Sequence, residues 1–155
     1  MLPCETGAAT WERDGFTVST DRARLDRDAI YRFLVADSYW AKGIDRAILE
    51  RGIAGSLPFG LYAPDGAQAG FGRVITDGAG FAYLRDMFVL PAHRGHGLGL
   101  FLAECVCAHP DLATVHNWML ATDDAHGLYA KLGFVAVQPG RYMRRVIYRA
   151  TSTDL

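Results

Sequence analysis

The chain has 155 residues, 50% of them apolar and 21% charged, with 16 Lys plus Arg against 17 Asp plus Glu. That size suits one domain burying about 70% of its unfolded surface without disulfides or a structural metal. A formal charge of −1 with no basic stripe removes the simplest case for a nucleic-acid partner.

Three cysteines, Cys4, Cys105 and Cys107, are an odd number, and the last two sit in one apolar helical run where their side chains diverge. No disulfide framework is expected. No basic region precedes an apolar leader and no window approaches 18 apolar residues, so a cytoplasmic chain without a membrane partner is expected.

Residues 1–11 carry Pro3 and Gly7 and no periodicity, which predicts an irregular lead-in to about residue 12. Phe16-Thr17-Val18-Ser19 alternates as a strand does. Asp26 is an N-cap candidate before Ile30, Phe33, Leu34 and Tyr39 at helical spacing, so a helix is expected to end near Trp40. After a break at Ala41-Lys42-Gly43, Ile44 to Arg51 reads as a second short helix, punctuated by Gly52 and Gly55. The period then turns strand-like. Leu57 to Tyr62, Ala69 to Ile75 and Phe81 to Leu90, separated by Pro64-Asp65-Gly66 and Asp77-Gly78, predict an antiparallel meander. Pro91 ends it, and a glycine-rich loop leads into an apolar helix from about Gly97 to His109, closed by Pro110. Trp118 to Ala121 reads as a strand and Ala125 to Leu132 as a helix stopped by Gly133. Phe134 to Gln138 and Met143 to Tyr148 read as strands flanking the Pro139-Gly140 turn. With no repeat, linker or low-complexity segment, residues 1–155 are expected to form one domain.

Arg94-Gly95-His96-Gly97-Leu98-Gly99 lies between a strand and a helix, where backbone N–H groups converge on an anion and the helix dipole favours negative charge. Its spacing is neither G-x-G-x-x-G nor G-x-x-x-x-G-K-[ST]. The loop resembles the R/Q-x-x-G-x-G/A loop of the Gcn5-related N-acetyltransferases, the GNAT superfamily. Asp86-Met87-Phe88-Val89-Leu90-Pro91 precedes it, and Leu128-Tyr129-Ala130-Lys131-Leu132-Gly133-Phe134 follows at the family's spacing. The resemblance covers residues 81 to 138 well, and residues 1 to 55 only in element order.

The resemblance implies an α/β fold, α+β by another convention. A mixed, mostly antiparallel sheet of six to seven strands would be flanked by about four helices and splayed between its fourth and fifth strands, after Val89. It implies acetyl-CoA as co-substrate; His93, His109 and His116 have no partners at metal-ligand spacing, so no metal is expected. The pantetheine would lie between the strand ending near Leu90 and the one at Trp118 to Ala121, bonded by main-chain groups of Phe88 and Val89. The pyrophosphate would rest on N–H groups of Arg94, Gly95, His96, Gly97, Leu98 and Gly99, with Arg94 adding charge. Thr122 stands where many relatives have Asn and can bond pantetheine or a neighbouring backbone.

Acetylating an amine with a thioester needs a neutral amine and a proton for the departing thiolate. Tyr129 matches the family tyrosine that points at the sulfur and is the acid candidate; packing on Phe134 is its structural alternative. The Glu that serves as base in polyamine-acetylating relatives is Arg85 here. Asp86 remains as a base candidate, with a structural hydrogen-bond acceptor as the alternative, and a bulge on its strand leaves its face open. Asp123, Asp124 and His126 could also relay protons.

In this family the helices after the first strand roof the acceptor site, which brings forward Asp37, Ser38, Tyr39, Trp40 and Lys42. An aromatic wall beside Asp37 would suit a cationic or aromatic amine. Arg73 and Arg85, on adjacent strands, would instead hold an acceptor carboxylate. The expected activity is acetyl transfer to a primary amine, with a small-molecule acceptor. A non-catalytic acyl-CoA-binding sensor and a protein N-terminal or lysine acetyltransferase are the alternatives, and a homodimer is open to such a chain.

Overall fold

The computed structural model describes residues 7–147; Cys4 and Tyr148 lie outside them. Six strands form one sheet in chain order: β1 (Thr10–Arg13), β2 (Phe16–Ser19), β3 (Leu57–Tyr62), β4 (Gln68–Thr76), β5 (Phe81–Val89) and β6 (Asn117–Met119). All neighbours are antiparallel except β5 and β6, which run parallel. Helices α1 (Arg27–Ala36) and α2 (Arg46–Ala54) cover one face, while α3 (Leu98–Cys107) and the short α4 (His126–Ala130) belong to the other. This is the expected α/β architecture. The strands expected as fourth and fifth are β5 and β6, because one more strand precedes them.

That additional strand corrects the expected lead-in. Thr10–Arg13 pairs with β2 through a turn in which Asp14 and Gly15 both have positive φ, +52° and +82°, the geometry that an Asp-Gly hairpin turn favours. On the sheet, Phe59, Leu61, Val74 and Leu84 meet Phe101, Leu102 and Val106 of α3 in one core. Phe71 and Phe88 meet Ile30, Phe33, Leu34, Leu49 and Ile53 in the other. Burial of the aliphatic and aromatic side chains that make up these cores is worth about 1.5–3 kcal/mol each.

Asp26 and Asp45 cap α1 and α2, their carboxylates accepting from the N–H groups of Ala29 and Ile48. Helix α1 stops at Ala36, short of the expected end near Trp40. Ser38 Oγ donates to the Leu34 carbonyl at 2.6 Å and accepts from Ala41 N–H at 3.1 Å, folding residues 38–41 into a turn. Helix α2 runs through Gly52 rather than ending before it. The Arg73 guanidinium packs over Gly52, 3.3 Å from where a Cβ would stand, and donates to the Gly52 carbonyl at 3.2 Å.

Strand β5 carries the bulge that positions the site. Its register with β4 shifts between Phe71 and Arg73, placing Asp86 and Met87 opposite Gly72. Asp86 adopts φ +56°, a left-handed conformation that Asp tolerates better than most residues. A Cβ at Gly72 would stand 2.1 Å from Met87 Sδ, so a larger residue there would have to displace the Met87 side chain. The bulge also reverses the alternation of faces: Ala82 and Leu84 point toward α3 before it, Met87 and Val89 after it.

Two further expectations are corrected. The parallel ladder ends at Tyr83–Met119, so the sheet splays there rather than after Val89. The expected strands over 134–138 and 143–148 are absent among the described residues, where 134–147 is irregular and Val135 and Met143 are 86% and 98% exposed. The three-residue β6 offers a short edge to pair with, and Phe134-Val135-Ala136-Val137 lacks the polar alternation that fixes a strand's face. No helix among the described residues is long and apolar enough to cross a membrane.

Candidate active site

The three alternating glycines at the entry to α3 and in its first turn have different physical roles. Gly95 and Gly97 take φ +86° and +73° with open space where a Cβ would sit. Gly97 caps α3 without any side-chain acceptor, so the first N–H groups of that helix point outward, unbonded as at any helix start. At Gly99 a Cβ would stand 3.1 Å from Leu128 Cδ1, so this glycine lets α3 and α4 approach. Leu98 is buried, whereas Arg94 and His96 are exposed. This cradle of backbone donors at the positive end of a helix fits a pyrophosphate.

Arg94 also acts locally. Its Nε donates to the Val89 carbonyl at 2.9 Å, and its guanidinium lies 6.0 Å from the Phe33 ring centroid. The Val89 carbonyl expected to meet pantetheine therefore already accepts a bond from Arg94. The Phe88 side chain is buried and stacks on Phe33 at 4.1 Å.

Where β5 and β6 part, a cleft of about 430 Å³ opens. Tyr83 to Met87 line one side and Leu120 to Ala125 with Tyr129 the other; Tyr39, Trp40 and Arg144 complete it. The Ser38 turn presents Tyr39 and Trp40, 52% and 36% exposed, with their rings edge to face at 4.9 Å. Both are tied down across the opening. The Tyr39 hydroxyl accepts from Asp123 N–H at 3.0 Å, and Trp40 Nε1–H donates to Asp86 Oδ1 at 3.0 Å.

Asp86 has its other oxygen, Oδ2, 2.6 Å from Arg73 Nε, in a pair whose side chains are 3% and 10% exposed. Both carboxylate oxygens thus have donors, and the bulge turns the group inward to hold Arg73 and Trp40. Arg73 is buried and does not line the cleft, whereas Arg85 does.

Tyr129 is 9% exposed and meets Phe134 edge to face at 5.8 Å. Its hydroxyl makes no hydrogen bond among the described residues. Burial pushes its pKa up to about 12, helped by Tyr39, Asp124 and Cys107, so the phenol keeps its proton at neutral pH. Thr122 Oγ1 accepts from Ala125 N–H at 3.0 Å and shapes the entry to α4. Asp37, Lys42 and His126 are exposed outside the cleft lining, and Ser38 is buried in its turn. The sequence reading missed Arg144, which sat within a segment read only as a strand.

Comparison with known proteins agrees with this geometry. Residues 56–136 match the model of the acetyltransferase (GNAT) domain. A Gibberella zeae protein described as a candidate acetyltransferase is 34% identical over 148 residues, covering 81% of this chain and 82% of its own length. The crystal structure of a Xanthomonas campestris protein assigned to the GNAT family superposes with a TM-score of 0.81 at 49% identity, covering 85% of this chain and 93% of that one. A Staphylococcus aureus protein of unknown function, described as an acetyltransferase candidate, superposes with a TM-score of 0.69 at 25% identity, over 86% of this chain and 99% of that one. The chain belongs to the GNAT family of acetyltransferases.

Proposed function

We propose that the protein transfers the acetyl group of acetyl-CoA to a primary amine of a small molecule, with Tyr129 as the general acid. The observation that carries this reading is a buried phenol lining the cleft where β5 and β6 separate, with no competing hydrogen bond among the described residues. A cleft of about 430 Å³ is in the range of small-ligand sites.

Acetyl-CoA supplies an activated thioester. Gly95 to Gly99 would hold its pyrophosphate on backbone N–H groups, and Arg94 braces the Val89 end of β5. Tyr39 and Trp40 would wall the acceptor. As the amine nitrogen forms its bond to the acetyl carbon, the carbon–sulfur bond breaks, and the Tyr129 hydroxyl gives its proton to the thiolate. The amine's excess protons pass through solvent at the exposed carboxylates of Asp123 and Asp124, and solvent returns one to Tyr129. Asp86 is a positioning residue in this scheme, since both its oxygens already have donors.

The test is thiol release from acetyl-CoA against a panel of amines, with Tyr129→Phe beside the wild type. Amine-dependent thiol release that Tyr129→Phe lowers by about 100-fold supports the assignment. A hydroxyl without effect on kcat would refute it.

A further inference from the structure

Two opposite acceptor charges are compatible with the residue types around this cleft, and the side-chain geometry separates them. Strands β4 and β5 place Arg73 directly opposite Arg85. Like charges so placed repel, and one of the two is compensated. Asp86, turned inward by its left-handed bulge, pairs with Arg73 at 2.6 Å, while its second oxygen takes the Trp40 N–H. Arg85 is left facing the cleft. Arg144 lines the same cleft, and neither arginine forms an ion pair among the described residues. Asp123 and Asp124 line it too, beside Tyr129, while Asp37, which would have favoured a purely cationic ligand, lies outside the lining.

We propose that the acceptor is an amine carrying its own carboxylate or phosphate, and that Arg85 and Arg144 bind this anionic group while the amine lies toward Asp123, Asp124 and Tyr129. This deepens the acetyl-transfer reading and rests on it. Guanidinium groups suit the task because their forked donors match both anions. The part-exposed rings of Tyr39 and Trp40 supply a wall for an apolar body between the two charged ends.

Matched acceptor pairs test this: phenylalanine against phenethylamine for a carboxylate, and O-phosphoethanolamine against ethanolamine for a phosphate. The anionic member of at least one pair should have the higher kcat/KM by 10-fold or more, and which pair responds identifies the anion. In the double variant Arg85→Gln/Arg144→Gln, checked for an unchanged melting temperature, that ratio should fall at least 10-fold. Equal or better use of the neutral members, or a preference that survives the double variant, would overturn the proposal. Saturation-transfer NMR with the CoA-loaded protein reads binding of the same four amines without turnover. Anionic amines that bind the wild type but not the double variant, with no amine acetylated, would refute acetyl transfer and leave the anion site standing. No preference in binding or turnover would refute the anion site.

Discussion

Breaking the Arg73–Asp86 pair should cost stability well beyond a surface ion pair. The side chains are 10% and 3% exposed and the contact is 2.6 Å, so Asp86→Asn strands a guanidinium in a site with little access to water. Removing one partner of a buried pair costs about 3–5 kcal/mol. Arg73 would still donate to the Gly52 carbonyl, and Asn can still accept from Trp40, which places the expected loss near the lower limit, about 3 kcal/mol. For a chain of this length about 1 kcal/mol moves Tm by about 2–4 °C, so a fall of about 6–12 °C is expected. Arg73→Met should fall comparably. The double variant, which leaves no stranded charge, should recover at least about 1.5 kcal/mol over the sum of the singles. Urea denaturation followed by circular dichroism at pH 7 measures all four proteins. Single losses below about 1 kcal/mol, or strict additivity, would refute the claim that Asp86 serves to hold Arg73.

Tyr129→Phe should lower kcat by about 100-fold yet change stability by less than about 1 kcal/mol, because the hydroxyl has no hydrogen bond to lose; steady-state kinetics and urea melts check the two halves. Since burial raises the phenol to about 12, its acid form persists throughout neutral and mildly alkaline pH, and log kcat should show no falling limb from this group up to pH 10. Gly97→Asp should abolish acetyl-CoA binding in calorimetry, since it puts a carboxylate into the cradle at a position with φ +73°. Trp40→Ala should raise the acceptor KM more than the acetyl-CoA KM, because Trp40 walls the cleft away from the glycine loop.

Much of the scaffold was legible because local chemistry and global fold agree. Asp26 caps its helix, Asp77-Gly78 turns a hairpin, and the glycine loop joins strand to helix as its spacing demands. What stayed hidden depends on contacts distant in the chain. Gly52 looked like a helix stop, but it is the surface on which Arg73 lies. The face of Asp86 depends on the bulge opposite Gly72, and that one residue decides which arginine is left without an ion pair. The Ser38 turn, made by a single hydroxyl, shortens α1 and presents Tyr39 and Trp40; hydrophobic spacing alone carried the helix past it. The hairpin through Asp14-Gly15 was missed because residues 1–11 carry no periodicity to mark a strand before the turn.

The central claim is that this chain moves an acetyl group from acetyl-CoA to an amine, and the most direct measurement is product stoichiometry. Purified protein is incubated with acetyl-CoA and the amine panel, free CoA thiol is titrated, and the acetylated amine is quantified by mass spectrometry. The account predicts amide and thiol in equal amounts, both falling together by about 100-fold in Tyr129→Phe. Acetyl-CoA bound with no amide formed from any amine, or thiol released without matching amide, would contradict it and make the protein an acyl-CoA-binding module or a thioesterase.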